Sequence, residues 1–459
     1  MFKIIPRNIV KLAVRCRRYA TVYPKVALDE TTQCTFLPNG IRIATEWTTS
    51  PLTCISMFVT LGPRYETCCN NGITHFIEHM AYKGFKSMSR LQLECEVGSH
   101  GARLDVKTYR EMQIFSVLIP SHIATIGVRY LYSVIEDLCI DPYVLKDEKC
   151  KIYLEVLETE AEHKQTVFEY LHNTAFQGTP LANPVIAPYE NQVKFNAVTL
   201  NSYVCENYTA SRIILATSGG INSDKYTEEV GNILGSIKSS TDCAQDSGPC
   251  RFTASQVIFR NDSMHHAHVA IAVEAPGYTS PDYWTMIVMK CLIGQWDESI
   301  GRPMNQSFYV ARNAGGAGSC QSYETFYIAY KDTGLWGTYF VAGRMDLDDM
   351  ANFIQSAWMR MTVTCTSTEC KKAVAIAKLK LAKRYEGVVN SSFDIGLQLL
   401  YTSSRLSYKT VCAKLDVVTP RKIREAGDKY IYNKSPVVAG VGPTENLSDY
   451  NRIESCNYW

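Results

Sequence analysis

The sequence predicts an α+β fold built in two halves. Three observations carry this. Segments that alternate apolar and polar residues with a period of two interleave with longer segments of period 3.6, the marks of strand and helix. A polar stretch, Ser236 to Pro249, interrupts the chain near its middle. The order of strand-like and helix-like segments before that stretch is similar to the order after it. The expected organisation is a leader over 1–28, a first domain over 29–237, a linker over 238–250 and a second domain over 251–459. With 459 residues, of which 46% are hydrophobic and 20% charged, the chain has material for two cores.

In the first half, Thr35 to Ala44 reads as a hairpin, because Asn39-Gly40 supplies a tight turn between alternating flanks. A strand over Thr53 to Leu61 precedes a helix over Gly72 to Tyr82. Two further strands follow, around Ala102 to Phe115 and Gln113 to Ile119. Helical periodicity then covers Ile123 to Asp137 and a long stretch from Val144 to His172, and Ile213 to Thr217 returns to strand. Beyond the linker, strands are expected near Gln256–Arg260 and His268–Glu274, and a helix near Asp282–Ile293. Strands near Tyr323–Tyr330 and Gly337–Ala342 lead to helices over Asp346–Met361 and Thr368–Arg384.

The leader differs in kind. Residues 1–28 hold Lys3, Arg7, Lys11, Arg15, Arg17, Arg18 and Lys25, and the first acidic residue is Asp29. Phe2 to Val14 interleaves these bases with apolar residues, the pattern of a mitochondrial import presequence with a plausible cleavage point near Arg18-Tyr19-Ala20. No run of 18 apolar residues is present, so no spanning helix is expected. The net charge of +2 gives no footprint for nucleic acid. The seventeen cysteines lack C-x-x-C spacing and read as buried or reduced thiols. Asn207, Asn305 and Asn390 sit in sequons that carry no meaning outside the secretory pathway.

The chemistry concentrates in His75-Phe76-Ile77-Glu78-His79. On a helix, His75 and His79 project from one face and can take two corners of a tetrahedral zinc site. Glu78 is placed to take a proton from an attacking water without being a ligand. A catalytic zinc needs a third protein ligand. Glu155 is the candidate, on the long helical stretch where glutamates also serve as a solvated face. Glu158 and Glu162 share its face and could orient a ligand or simply be solvated. Cys68 and Cys69 precede the motif and read as structural, since adjacent cysteines do not easily share one tetrahedral ion. A second histidine cluster, His265, His266 and His268, reads as a surface or edge-strand feature rather than a metal site.

With 75 residues between His79 and Glu155, the chain resembles the pitrilysin-type (M16) metallopeptidases. The stretches that carry the likeness include Gly62-Pro63-Arg64-Tyr65-Glu66, Asn70-Asn71-Gly72, Phe168-Glu169-Tyr170-Leu171-His172 and Ala175 to Leu181. Thr333 to Gly337 and Lys429 to Asn433 add to it. Within the family it is similar to β-subunits of the mitochondrial processing peptidase and to core 1 subunits of the cytochrome bc1 complex. Gly442-Pro443 and Asp449 to Ile453 lean towards core 1. The resemblance implies two homologous α/β-sandwich halves, with a Zn2+ ion held by His75, His79 and Glu155 and with Glu78 as general base. It implies a zinc metalloendopeptidase that cleaves precursor presequence peptides bound along a strand edge. Its partner would be an α-type processing peptidase subunit, or a core 2 subunit within the cytochrome bc1 complex. The location implied is the mitochondrial matrix or the matrix side of the inner membrane.

The chain departs from the family pattern in three places. Gln165 stands where a glutamate is usual. Asp105 and Val106 replace asparagine and alanine in the strand Gly101 to Thr108 that would hold substrate. Pro303, in Gly301-Arg302-Pro303-Met304, stiffens a segment that is glycine-rich in relatives. A structural core 1 subunit that retains the metal set is therefore the alternative expectation.

Overall fold

A computed structural model describes residues 32–239 and 248–458. The leader, and residues 240–247 of the expected linker, lie outside the described residues. The architecture is two α/β sandwiches, each built on a six-stranded sheet.

The first sheet is made of β1 (Thr32–Phe36), β2 (Arg42–Trp47), β3 (Leu52–Val59), β4 (Arg103–Thr108), β5 (Gln113–Pro120) and β6 (Ile213–Gly219). Its order is β1-β2-β6-β3-β5-β4, antiparallel except for the parallel pair β2 and β6. The hairpin expected at Asn39-Gly40 joins β1 to β2, with Phe36 opposite Arg42 and Gly40 at φ +103°. The helices are α1 (Ile73–Met80), α2 (Arg90–Ser99), α3 (Ala124–Glu136), α4 (Pro142–Ala161), α5 (His163–Ala175), α6 (Tyr189–Lys194), α7 (Ala197–Asn207) and α8 (Ser223–Leu234).

The second sheet uses β7 (Gln256–Arg260), β8 (His266–Pro276), β9 (Gln295–Asp297), β10 (Ser322–Ala329), β11 (Thr333–Gly343) and β12 (Val437–Gly442). Its order is β7-β12-β8-β11-β10-β9, again with one parallel pair, β7 and β12. Helices α9 (Tyr283–Ile293), α10 (Leu347–Thr364), α11 (Ser367–Arg384), α12 (Val388–Thr402), α13 (Tyr408–Asp416), α14 (Pro420–Tyr430) and α15 (Tyr450–Ser455) complete the chain. Matching β2, β6, β3, β5 and β4 with β7, β12, β8, β11 and β10 reproduces both pairing and direction, so the recurrence of order is a recurrence of topology.

Each compact unit takes a segment from across the linker. The first unit gathers the described residues up to Tyr153, those from Val185 to the linker, and Arg384–Ser407. The second gathers Leu154–Pro184, Gly248–Lys383 and the residues from Tyr408 onward. In the first unit, α12 therefore covers β3 and β6. Ile55, Met57 and Val59 of β3 face one core, with Phe76, Ile77 and Met80 of α1 and Val128 and Leu131 of α3. The alternate residues turn to α12: Ser392 Oγ donates to Ser56 Oγ at 2.9 Å, and Phe393 packs on Phe58 with ring centroids 5.8 Å apart. Both faces of β3 are covered, which explains why every residue from Thr53 to Val59 is buried, Thr53 and Ser56 included. In the second unit α5 plays the equivalent part. Its Val167, Leu171 and Ala175 join Ala270 and Ala272 of β8 and Val437 and Ala439 of β12 in one core.

Two expectations are corrected. The helix foreseen from Val144 to His172 is two helices, broken at Glu162, whose backbone turns to the extended region at φ −86°, ψ 90°. Thr166 closes the broken turn in part: its N–H donates to the Glu162 carbonyl at 3.1 Å, and its one hydroxyl proton can go to the Thr159 carbonyl at 3.0 Å, the nearest of three within reach. Of the histidine cluster, His265 is exposed just before β8, as expected of a surface feature, but His266 and His268 do not lie on an edge strand, because β8 runs between β12 and β11 inside its sheet. Its His268 is half-buried, with Nδ1 2.6 Å from the Tyr339 hydroxyl.

Candidate metal centre

The first turn of α1 is fixed from outside the helix. Gly72 at its N-cap has φ +88°, and a Cβ there would lie 2.2 Å from Ala187 Cα, so a side chain is excluded by conformation and by space. The buried Glu66 carboxylate takes the unpaired donors of that turn. It accepts from Gly72 N at 2.7 Å, Thr74 N at 3.0 Å, Thr74 Oγ1 at 2.5 Å and Asn71 Nδ2 at 3.0 Å. Burial pushes the Glu66 carboxyl above its ordinary value, against the downward pull of these bonds. Further along, Gln113 Nε2 of β5 donates to the Thr74 carbonyl at 2.8 Å, and the Tyr208 hydroxyl donates to Gln113 Oε1.

So anchored, α1 presents His75 and His79 with ring centroids 4.8 Å apart and planes at 72°. His75 is buried; Glu78 and His79 are partly exposed. Helix α4 belongs to the same core through Leu145 and Ile152 and carries Glu155 one turn further on. One ligand atom each from His75, His79 and Glu155 come within 4.8 Å of one another. Among the described residues this is the one group of three or more such side chains that close.

An acidic residue beside His79 was not among those the sequence singled out. Glu148, two turns before Glu155 on α4 and 2% exposed, has its Oε2 3.4 Å from His79 Nδ1. Its Oε1 receives Lys83 Nζ at 3.0 Å and Lys151 Nζ at 2.5 Å. Burial raises the Glu148 carboxyl, but the bonds and charges of Lys151 and Lys83 outweigh it and hold the group below its ordinary value. A carboxylate on Nδ1 keeps the proton there and leaves Nε2 as the nitrogen with a lone pair to offer. The seven-residue spacing of Glu148 and Glu155 was the available signal, since i and i+7 share a helical face. Glu158 and Glu162 are instead exposed, and Glu162 accepts from Gln165 Nε2. Cys68 and Cys69 are exposed thiols at a turn closed by Asn70 N on the Thr67 carbonyl at 3.1 Å.

Strand β4 lies at the edge of its sheet, paired only with β5, and packs beside α1. Arg103, Asp105 and Lys107 are exposed, while Leu104 and Val106 pack partly on the core. In the second unit Gly301-Arg302-Pro303-Met304 is a tight bend, with Arg302 at φ +30°. Pro303 sits so close to Gly315 that a Cβ there would be 2.7 Å from it.

Fold and sequence together define a class. Residues 42–189 match the model of the insulinase family of peptidases (family M16), and residues 194–376 match that of the M16 inactive domain. This chain belongs to peptidase family M16. Among its relatives, human cytochrome b-c1 complex subunit 1, mitochondrial, is 36% identical over 445 residues, covering 96% of this chain and 93% of that one. Bovine mitochondrial-processing peptidase subunit beta is also 36% identical, over 432 residues covering 93% and 88%. A chain of complex III2 from Candida albicans has the same fold, with a TM-score of 0.83 at 23% identity, covering 93% of this chain and 99% of that one. No helix among the described residues is long and apolar enough to cross a membrane.

Proposed function

We propose that this chain is a zinc metalloendopeptidase subunit of the processing-peptidase β type, removing basic presequences from precursors imported into mitochondria. The observation that carries this is the convergence of His75, His79 and Glu155, with Glu78 on the same helical turn. Two imidazoles and a carboxylate are a zinc donor set that leaves a coordination position open. Donors around a tetrahedral zinc are about 3.4 Å apart, so a group within 4.8 Å closes by small side-chain rotations. When bound, zinc supplies Lewis acidity towards the scissile carbonyl and the attacking water.

The chain's own residues do the rest. Glu78 takes the proton of that water and returns it to the leaving amine. Glu148 holds the His79 ring in register. The outer edge of β4 offers backbone N–H and C=O groups on which an extended peptide adds as a further strand. The acid-poor basic leader and the mitochondrial relatives support the matrix, or the matrix side of the inner membrane, as the location. The equal likeness to two subunits of heteromeric assemblies supports work with an α-type partner.

A second reading is a structural core 1 subunit, paired with core 2 in the cytochrome bc1 complex and retaining the metal set. It is favoured by the likeness to the human bc1 subunit over 96% of this chain, and by Gln165, Asp105 and Val106. The deciding experiment measures zinc content and presequence cleavage on the mature chain co-expressed with an α-type or core 2 partner. Cleavage that is lost in Glu78→Gln while zinc is kept supports the peptidase. Zinc without cleavage supports the second reading, and absence of zinc sinks the metal assignment in both.

A further inference from the structure

The Glu148 carboxylate is shared unequally. Its Oε2 stands 3.4 Å from His79 Nδ1, longer than the roughly 2.7–2.9 Å of a charge-assisted hydrogen bond. Its Oε1 has two ammonium groups, Lys151 Nζ at 2.5 Å and Lys83 Nζ at 3.0 Å. Lys151 follows Glu148 by three residues and precedes Glu155 by four, so it stands on the helical face between the two acids. Its side chain is 54% exposed.

We propose that Lys151 is a positioning residue that loosens the metal centre, drawing Glu148 away from His79 and adding a positive charge beside the ligands. This rests on the reading of His75, His79 and Glu155 as a zinc site. A carboxylate that strongly accepts from the Nδ1–H of a ligand histidine makes the opposite nitrogen a better donor to the cation. Two ammonium groups on the same carboxylate withdraw that support. A fixed cation on the face that holds the ligands also repels a divalent ion directly. A bound ion would therefore be held less tightly than His75, His79 and Glu155 would hold it with Glu148 unshared, and Lys151 would set by how much.

The test is metal affinity of the mature chain, stripped by chelator and titrated with Co2+ by its visible absorption, then with Zn2+ against a chromophoric chelator. Lys151→Met keeps the length and removes the charge; Lys151→Arg keeps the charge. Lys151→Met is expected to bind both ions about tenfold more tightly, and Lys151→Arg to stay within about twofold of the parent. The gain should shrink at about 1 M salt, because the charge acts at an exposed position. Unchanged or weaker binding by Lys151→Met, beside a parent that does bind, overturns this proposal alone. A parent that binds no better than His75→Ala overturns the zinc reading, and the proposal with it.

Discussion

His79 Nδ1 lies 3.4 Å from Oε2 of the buried Glu148, which ties the motif helix to the helix that carries Glu155. The pair joins the two helices of the candidate site through a buried carboxylate as well as through the candidate ligands. Lys83, four residues beyond His79, reaches the other oxygen of the same carboxylate at 3.0 Å and competes with His79 for it.

Glu148→Gln should therefore weaken the metal centre while leaving the fold intact. The amide keeps the shape but loses the charge that favours a proton on His79 Nδ1. Metal affinity is expected to fall about 10- to 100-fold, the usual consequence of removing an orienting carboxylate. Zinc retained after dialysis against graded chelator measures it; retention equal to the parent would show that Glu148 orients nothing.

Gly72→Ala tests the start of the motif helix. The new Cβ would meet Ala187 Cα at 2.2 Å in a residue held at φ +88°. Strain in that backbone region and the clash act together, and a loss of about 2–4 kcal/mol of stability is expected. Urea denaturation reads it directly. A loss below about 0.5 kcal/mol, the range of an ordinary surface change, would mean that the helix can shift to accommodate the methyl group.

Much of this arrangement was legible in the sequence. Periodicity located α1, α3 and α10, because each has one apolar face and a clear end, whereas α9 was legible as an apolar run between Asp282 and Gly294 and has no exposed position. The candidate ligands His75 and His79 stood out because histidines are few in this chain and these two sit at a diagnostic spacing. Glu148 was not, since it is one of several acids on α4 and only burial distinguishes it from Glu158 and Glu160. The break at Glu162 has no proline or glycine to announce it. Nor does an apolar helical face say which sheet will cover it, so the placing of α5 on β8 and β12, and of α12 on β3 and β6, came only with the structure.

His268 makes the second unit sensitive to acid. Burial first, then the neighbouring charges of His163 and His266, push its pKa down to about 4. The folded state thus keeps the ring neutral where the unfolded chain, at the ordinary value of 6.5, takes up a proton. Stability is lost as pH falls from about 6.5 towards 4, by about 1 kcal/mol once solvent screening of a half-exposed ring is allowed for. His268→Gln should show a smaller fall in Tm between pH 7.5 and 4.5 than the parent does. An equal fall would assign the acid sensitivity to other groups.

The sharpest consequence of the exchanged helices concerns a truncated chain. A fragment of residues 29–250 contains every strand of the first sheet but lacks α12. Without it, Phe58 loses Phe393, and the face of Gly396 that the Phe58 ring approaches so closely is gone. Arg405, which donates to Glu46 Oε2 at 3.1 Å and pairs with the buried Asp394, goes with the same segment. The bared face of β3 and β6 would expose Phe58 and leave Ser56 and the Ala216 carbonyl without their Ser392 partner on a central strand pair, a surface that favours aggregation over a soluble monomer. The fragment should therefore fail to show a cooperative unfolding transition, and a chain carrying 384–407 appended by a flexible linker should regain one. Cooperative unfolding of 29–250 alone would mean that the first sheet is stable with one face bare, and that α12 contributes affinity between segments rather than the core itself.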